Sequence, residues 1–315
     1  MENTLQIRGQ RQDKNWAHWT EASGHAGMLS GSVGTKRRNR VLEDQLATLR
    51  REHDDLLHTM YEAAQVQRKL CGPRLLRRQP FEIASEIFPV RHLSGDFISV
   101  FELGPDLAFA IGDIAGKGLS AGMWFTYVVG MVRLQMEALG DPAAALSAIN
   151  RNLLLTHLEM PLTTVLVGRL NLQTGEVTYC SAGHPPALVF RNDGHVESLQ
   201  EGGPVLGVLA GACFANGQTT LRPGDTLLGY SDGIAECRNE NGAEFGTERL
   251  AAAAQVSHGS SASGTLFSVL GAVEDFAGSQ SREDDMAVIV VRRADEVIEE
   301  SEPSKVRADG DDDRV

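Results

Sequence analysis

Four short acidic clusters hold the residues best suited to chemistry: Ser94-Gly95-Asp96-Phe97, Gly112-Asp113-Ile114-Ala115-Gly116-Lys117-Gly118, Ser231-Asp232-Gly233 and Glu283-Asp284-Asp285-Met286. Asp113 and Asp232 each follow an apolar run, where a strand leaves the core and the backbone must turn. Carboxylates from several strand ends, gathered by folding, are what a hard divalent cation such as Mg²⁺ or Mn²⁺ requires. Any one Asp beside a Gly is more simply read as a turn residue. Four in such contexts are harder to read that way together.

Other chemistries find less support. Gly116-Lys117-Gly118 invites comparison with a phosphate loop, but that loop needs four residues between its glycines and a hydroxyl residue after the Lys. Here three residues separate Gly112 from Gly116, and Gly118 takes the hydroxyl position. The segment still opens a helix, whose free N–H groups favour anions. No G-x-S-x-G occurs, and no Cys has a neighbouring His to activate it. His184, in Ala182-Gly183-His184-Pro185-Pro186, reads as a loop histidine held for structural reasons.

The elements that must position these residues are short. FEIASEIFPV, DLAFAIGDI, TTVLVGRLNL, GEVTYCSA, PALVF, DTLLGYSD and DMAVIVVRR are β-rich and bounded by turn residues. Helices are expected over 118–139, 142–158, 246–256 and 262–276. Hairpin turns are expected at Gln173-Thr174-Gly175 and Asn192-Asp193-Gly194. The elements do not alternate as βαβ units do, which implies an α+β fold of mostly antiparallel sheets with helices outside.

Ahead of the strands, residues 41–70 read as one helix that Gly72-Pro73 ends. One seam takes Leu42, Leu49, Leu56, Ala63 and Leu70; the other takes Leu46, His53, Met60 and Gln67. This pattern suits a coiled coil, hence a homodimer through residues 41–70, or an amphipathic helix lying on its own domain. Residues 1–40 hold seven Lys/Arg against three Asp/Glu and a Gly/Ser-rich stretch, and are expected to form a disordered arm. Residues 293–315 hold four Lys/Arg against nine Asp/Glu and are expected to form an acidic tail.

The formal charge of −13 belongs mainly to the part between these ends and argues against general nucleic-acid binding. The four cysteines form no C-x-x-C pair, so free thiols in a reducing compartment are expected. No apolar run approaches the roughly 20 residues that span a bilayer. The first residues lack the apolar core of a secretory signal. Together these give a cytoplasmic expectation with no membrane partner.

SGDF, GDIAGKGLSAGM, SAGHPPALVF, LRPGDTLLGYSDGIAECRN and DDMAVIVV occur in the order and approximate spacing of one family. The chain resembles the PPM-type metal-dependent protein serine/threonine phosphatases, in the bacterial SpoIIE/RsbU-like branch. The resemblance covers residues 81–292, and AAQVQRKLCGPRLL resembles the regulatory linker helix that precedes the domain in that branch. It implies an α-β-β-α sandwich over 81–292, preceded by a linker helix over 41–73. It implies two Mn²⁺ or Mg²⁺ ions per site, with Asp113 bridging them and the Ile114 carbonyl beside it. Asp96, Asp232 and Asp284 would complete the ligands, with Asp285 as their neighbour. Water activated by the two metals would hydrolyse phosphoserine or phosphothreonine. The implied substrate is a phosphorylated STAS-type anti-sigma-factor antagonist in a partner-switching pathway, with an upstream activator acting on the linker helix. Two departures stand out: Ser99 where the family often has an acid, and Gly229 where it favours a bulky apolar residue. A non-catalytic interaction module of the same fold and a hydrolase of small phosphate esters remain alternatives.

Overall fold

The computed structural model describes residues 28–156, 161–257 and 259–295. The chain divides into two units, one through Leu57 and one from His58 onward. Helix α1 (Met28–Leu70) runs through the division. It begins ahead of Val41, so residues 28–40 are helical rather than part of a disordered arm. Lys and Arg are good helix formers, and adding a turn to an existing helix costs far less than nucleating one. Residues 1–27 of the expected arm and 296–315 of the expected tail lie outside the described residues. In the first unit the seam leucines Leu42, Leu46, Leu49 and Leu56 are each at least half exposed.

The second unit continues with β1 (Leu75–Arg78), β2 (Phe81–Phe88), β3 (Phe97–Leu103) and β4 (Asp106–Ile114), then α2 (Leu119–Leu139) and α3 (Pro142–Leu155). Asp141 caps α3 by accepting from the Ala144 N–H, with Pro142 in the first turn. Next come β5 (Thr163–Asn171), β6 (Glu176–Ala182), β7 (Ala187–Phe190), β8 (Val196–Leu199), β9 (Gly202–Gly203), β10 (Gly217–Thr220) and β11 (Thr226–Tyr230). The chain then forms α4 (Asp232–Ala235), α5 (Gly246–Val256), α6 (Ala262–Ala277) and β12 (Met286–Arg293). Both expected hairpin turns are present, between β5 and β6 and between β7 and β8.

Two sheets form. One has the order β1-β2-β12-β11-β7-β8; the other has the order β10-β6-β5-β4-β3, with β9 beside β6. Leu107, Phe109, Ile111, Leu227, Ile289 and Val291 pack between the sheets. The opposite face of the β3–β6 sheet packs Phe97, Ala108 and Val165 against Phe125, Val132 and Leu146 of α2 and α3. The outer face of the other sheet packs Leu228, Val288 and Val290 against Leu250, Leu266 and Val269 of α5 and α6. Three apolar layers therefore hold an α-β-β-α sandwich, as the sequence implied. Strands β4 and β12 are buried on both faces, which is why they read as near-continuous apolar runs.

Both departures noted in the sequence are explained by this packing. Ser99 is buried opposite Ala110, and strand alternation places it on the face shared by Phe97 and Phe101, against the helices. An acid there would enter an apolar layer rather than join the acidic cluster. At Gly229 an added Cβ would lie 2.8 Å from the side chain of Ile289, its partner in the same sheet, and 3.3 Å from Ile111 of the facing sheet, so a larger residue would need both side chains to shift.

Candidate active site

Antiparallel pairing brings the four clusters to one end of the sandwich. Asp96 immediately precedes β3, and Asp113 lies near the end of β4, whose Gly112 pairs with Phe97. Asp232 follows β11, and Asp284 and Asp285 precede β12, whose Val288 pairs with Tyr230. Each sheet thus offers one strand start beside one strand end.

Asp96 is fully buried and accepts a 2.6 Å hydrogen bond from the Ser231 hydroxyl, which itself accepts from the Ala287 N–H at 2.9 Å. Burial first, then the charge of Asp113, hold the Asp96 carboxyl well above the usual range despite the Ser231 bond. Asp113 is pushed up to about 6, first by burial and then by Asp232 and Asp284, and lies within hydrogen-bonding reach of Asp96. Asp232 is raised by burial and by Asp284. Like charges crowd here without an equal number of cations. Among the described residues, the basic side chain paired with the cluster is Lys117, whose Nζ stands 3.0 Å from an Asp284 carboxylate oxygen and also donates to the Glu283 carbonyl.

Glycines make this approach feasible. A Cβ on Gly95 would lie 2.6 Å from the Ile114 carbonyl oxygen and 3.3 Å from an Asp113 carboxylate oxygen. At Gly233 it would lie 1.9 Å from the Asp285 carbonyl. Asp285 itself is buried and turned onto the loop before β3: it accepts from Val90 N at 2.7 Å, Gly95 N at 2.8 Å and Ser94 Oγ at 3.1 Å. Ser94 and Ser231 were not singled out from sequence beyond membership of their motifs.

The donor set suits a hard divalent cation: four carboxylates, a backbone carbonyl, and neither thiolate nor imidazole among them. Among the described residues no three His, Cys, Asp or Glu side chains converge closely enough to ligate one ion as they stand. Asp96, Asp113 and Asp232 are neighbours, and Asp284 is engaged by Lys117.

His184 lies beneath the cluster rather than in it. Its Nδ1 is 3.0 Å from Thr164 Oγ1, on the residue paired with Asp113, and its Nε2 faces the Tyr230 backbone without a well-formed hydrogen bond. Burial pushes its pKa down to about 3. The folded state therefore resists a proton that the unfolded chain accepts near 6.5, so the stability His184 lends is present above that pH and is lost as pH falls toward 3. Between pH 7 and pH 5 the wild type is expected to lose about 2 kcal/mol more unfolding free energy than His184→Gln. Urea titrations of both proteins at the two pH values check this, and equal losses would contradict it.

The fold is that of the PP2C-type phosphatase domains. The SiaA-PP2C domain of Pseudomonas aeruginosa superposes with a TM-score of 0.65 at 17% identity, covering 76% of this chain and 98% of that domain. Residues 104–294 match the SpoIIE family (stage II sporulation protein E), and the chain belongs to that family. Among curated relatives, phosphoserine phosphatase RsbU of Bacillus subtilis is 28% identical over 200 residues, 62% of this chain and 58% of RsbU. Protein IcfG of Synechocystis is 26% identical over 214 residues, 59% of this chain and 34% of IcfG. The match therefore spans between a third and three fifths of these relatives' length.

Proposed function

We propose that the protein is a metal-dependent phosphatase that hydrolyses phosphoserine or phosphothreonine on a protein. The observation that carries this reading is the meeting of Asp96, Asp113, Asp232 and Asp284 at facing strand ends, where burial first and mutual charge second raise the pKa of three of them. Membership of a family that includes a named phosphoserine phosphatase supports it. Two Mn²⁺ or Mg²⁺ ions, when bound, would supply a water of lowered pKa and neutralise charge on the phosphoryl group. Asp113 and the Ile114 carbonyl would hold the ions together with Asp96, Asp232 and Asp284. Asp96 is held in one orientation by Ser231, and Asp285 fixes the loop that carries Asp96. Lys117 and the Asp285 N–H both bond to one Asp284 oxygen, so the other oxygen is the one that would serve as a ligand.

The substrate in this reading is a phosphorylated STAS-type anti-sigma-factor antagonist, by analogy with the RsbU branch. The four described cysteines are free thiols, which fits a cytoplasmic setting. No helix among the described residues is long and apolar enough to cross a membrane. The exposed leucines of α1 support pairing with a second copy through residues 41–70, where an upstream activator would also act. The deciding experiment is a phosphate-release assay with and without Mn²⁺ on phosphorylated STAS-domain proteins and on p-nitrophenyl phosphate. Mn²⁺-dependent turnover of the phosphoprotein is expected to exceed that of the small ester. Activity on the ester alone would favour a metabolite hydrolase, and no activity on either would leave an interaction module.

A further inference from the structure

Gln67, on the last turn of α1, is a polar residue at a position where the heptad pattern called for an apolar seam. It does not sit in a helix–helix seam. It is buried against the loop before β3, where its Nε2 donates to the Ser94 carbonyl and its Oε1 accepts from the Ser94 N–H, both at 3.2 Å. A primary amide is the side chain that offers a donor and an acceptor together for one peptide unit. Leu93 beside this loop and the Gln67 amide both press on Gly122 of α2, which has no room for a Cβ. Four residues further on, the Cys71 carbonyl accepts from Val100 N of β3 at 3.3 Å. The end of α1 is therefore tied to the chain on both sides of Asp96.

The loop so held touches the acidic cluster at several points. The Ser94 hydroxyl and the Gly95 N–H both bond to one Asp285 oxygen, and Gly95 backs directly on the Ile114 carbonyl and Asp113. Asp96 follows immediately. We propose that Gln67 is a positioning residue for the metal site: by pairing with Ser94 it fixes the loop that sets Asp96 and Asp285 against Asp113. The inference rests on the carboxylates being the metal site, and adds that metal affinity depends on a side chain of the preceding helix. Without the amide, the buried N–H and carbonyl of Ser94 lose their partners, and the loop must shift to find others. Partners that orient ligands in this way typically change metal affinity by about 10–100-fold when removed.

The test uses the full chain with Gln67→Met, which keeps the length but neither hydrogen bond, and Gln67→Glu, which lacks the donor. Mn²⁺ binding is measured by titration calorimetry, and amide hydrogen exchange is followed across the domain. The expected result is Mn²⁺ affinity about tenfold weaker in both variants. Protection at Ser94 and Gly95 should fall while that of β4 and β12 is kept. Affinity within twofold of wild type, or a uniform loss of protection over the whole domain, overturns the proposal. Should the glutamine variants fail to fold, Ser94→Ala decides: it keeps the amide pairing but loses the hydroxyl on Asp285, and unchanged Mn²⁺ affinity there counts against the loop's role. A wild type that binds no Mn²⁺ overturns the proposed function instead. In that case unchanged exchange at Ser94 and Gly95 in the variants overturns the ordering of the loop by Gln67.

Discussion

Asp113→Ala is expected to abolish Mn²⁺-dependent phosphate release, and Asp232→Ala to do the same. The loss should be at least roughly a thousandfold, since cation stabilisation of a phosphoryl transition state supplies several kcal/mol and each 1.36 kcal/mol is a factor of ten. The fold should survive. Asp113 is a buried carboxylate facing the charges of Asp232 and Asp284, so in metal-free buffer its removal relieves repulsion. Urea unfolding of the metal-free variant is therefore expected at equal or higher denaturant concentration than wild type. Two signs are thus predicted for one substitution, lost activity and retained or increased stability. A generally damaged protein would lose both. Wild-type rates in both variants would remove Asp113 and Asp232 from the reaction and defeat the proposed site.

Leu49→Glu combined with Leu56→Glu is expected to convert a dimer into a monomer. Both leucines are more than half exposed in the single chain, on one stripe of α1 with Leu42. A paired helix would bury them, and a dimer would lose four leucines on substitution. At about 1.5 kcal/mol each, that is roughly 6 kcal/mol, or about four decades in dissociation constant, before the cost of burying charge. Size-exclusion chromatography with light scattering at tens of micromolar reads the outcome, and phosphate release is expected to change with it. A monomeric wild type, or a double variant that stays dimeric, ends the proposal that α1 pairs.

Much of the architecture was legible because its main strands are buried on both faces. DLAFAIGDI and DMAVIVVRR carry their identity in composition alone, and their last or preceding Asp marks the site. The edge strands were not legible. Leu75–Arg78, Val196–Leu199, Gly202–Gly203 and Gly217–Thr220 are short; the first two pair with the strand next to them in sequence, and the last two pair with β6 across intervening elements. Strand β3 was hidden for another reason: it begins inside SGDF, at Phe97, and Ser99 and Glu102 break its apolar run. Gln67 shows a limit of periodicity. A heptad pattern finds a residue's face of the helix but not what that face meets, and here it meets Ser94, 27 positions away. The three bonds that turn Asp285 onto the Val90–Gly95 loop span about 190 residues and left no local signal.

The strand order also bears on how the protein comes into being. Strand β12, the last described element of the domain, lies in the middle of its sheet, between β2 and β11. A nascent chain that has not yet released β12 from the ribosome leaves β2 and β11 with open edges and lacks Asp284 and Asp285. In the proposed reading, the metal site is therefore complete only once this strand has emerged. Until then the emerging chain carries two unsatisfied strand edges, the kind of surface that chaperones cover.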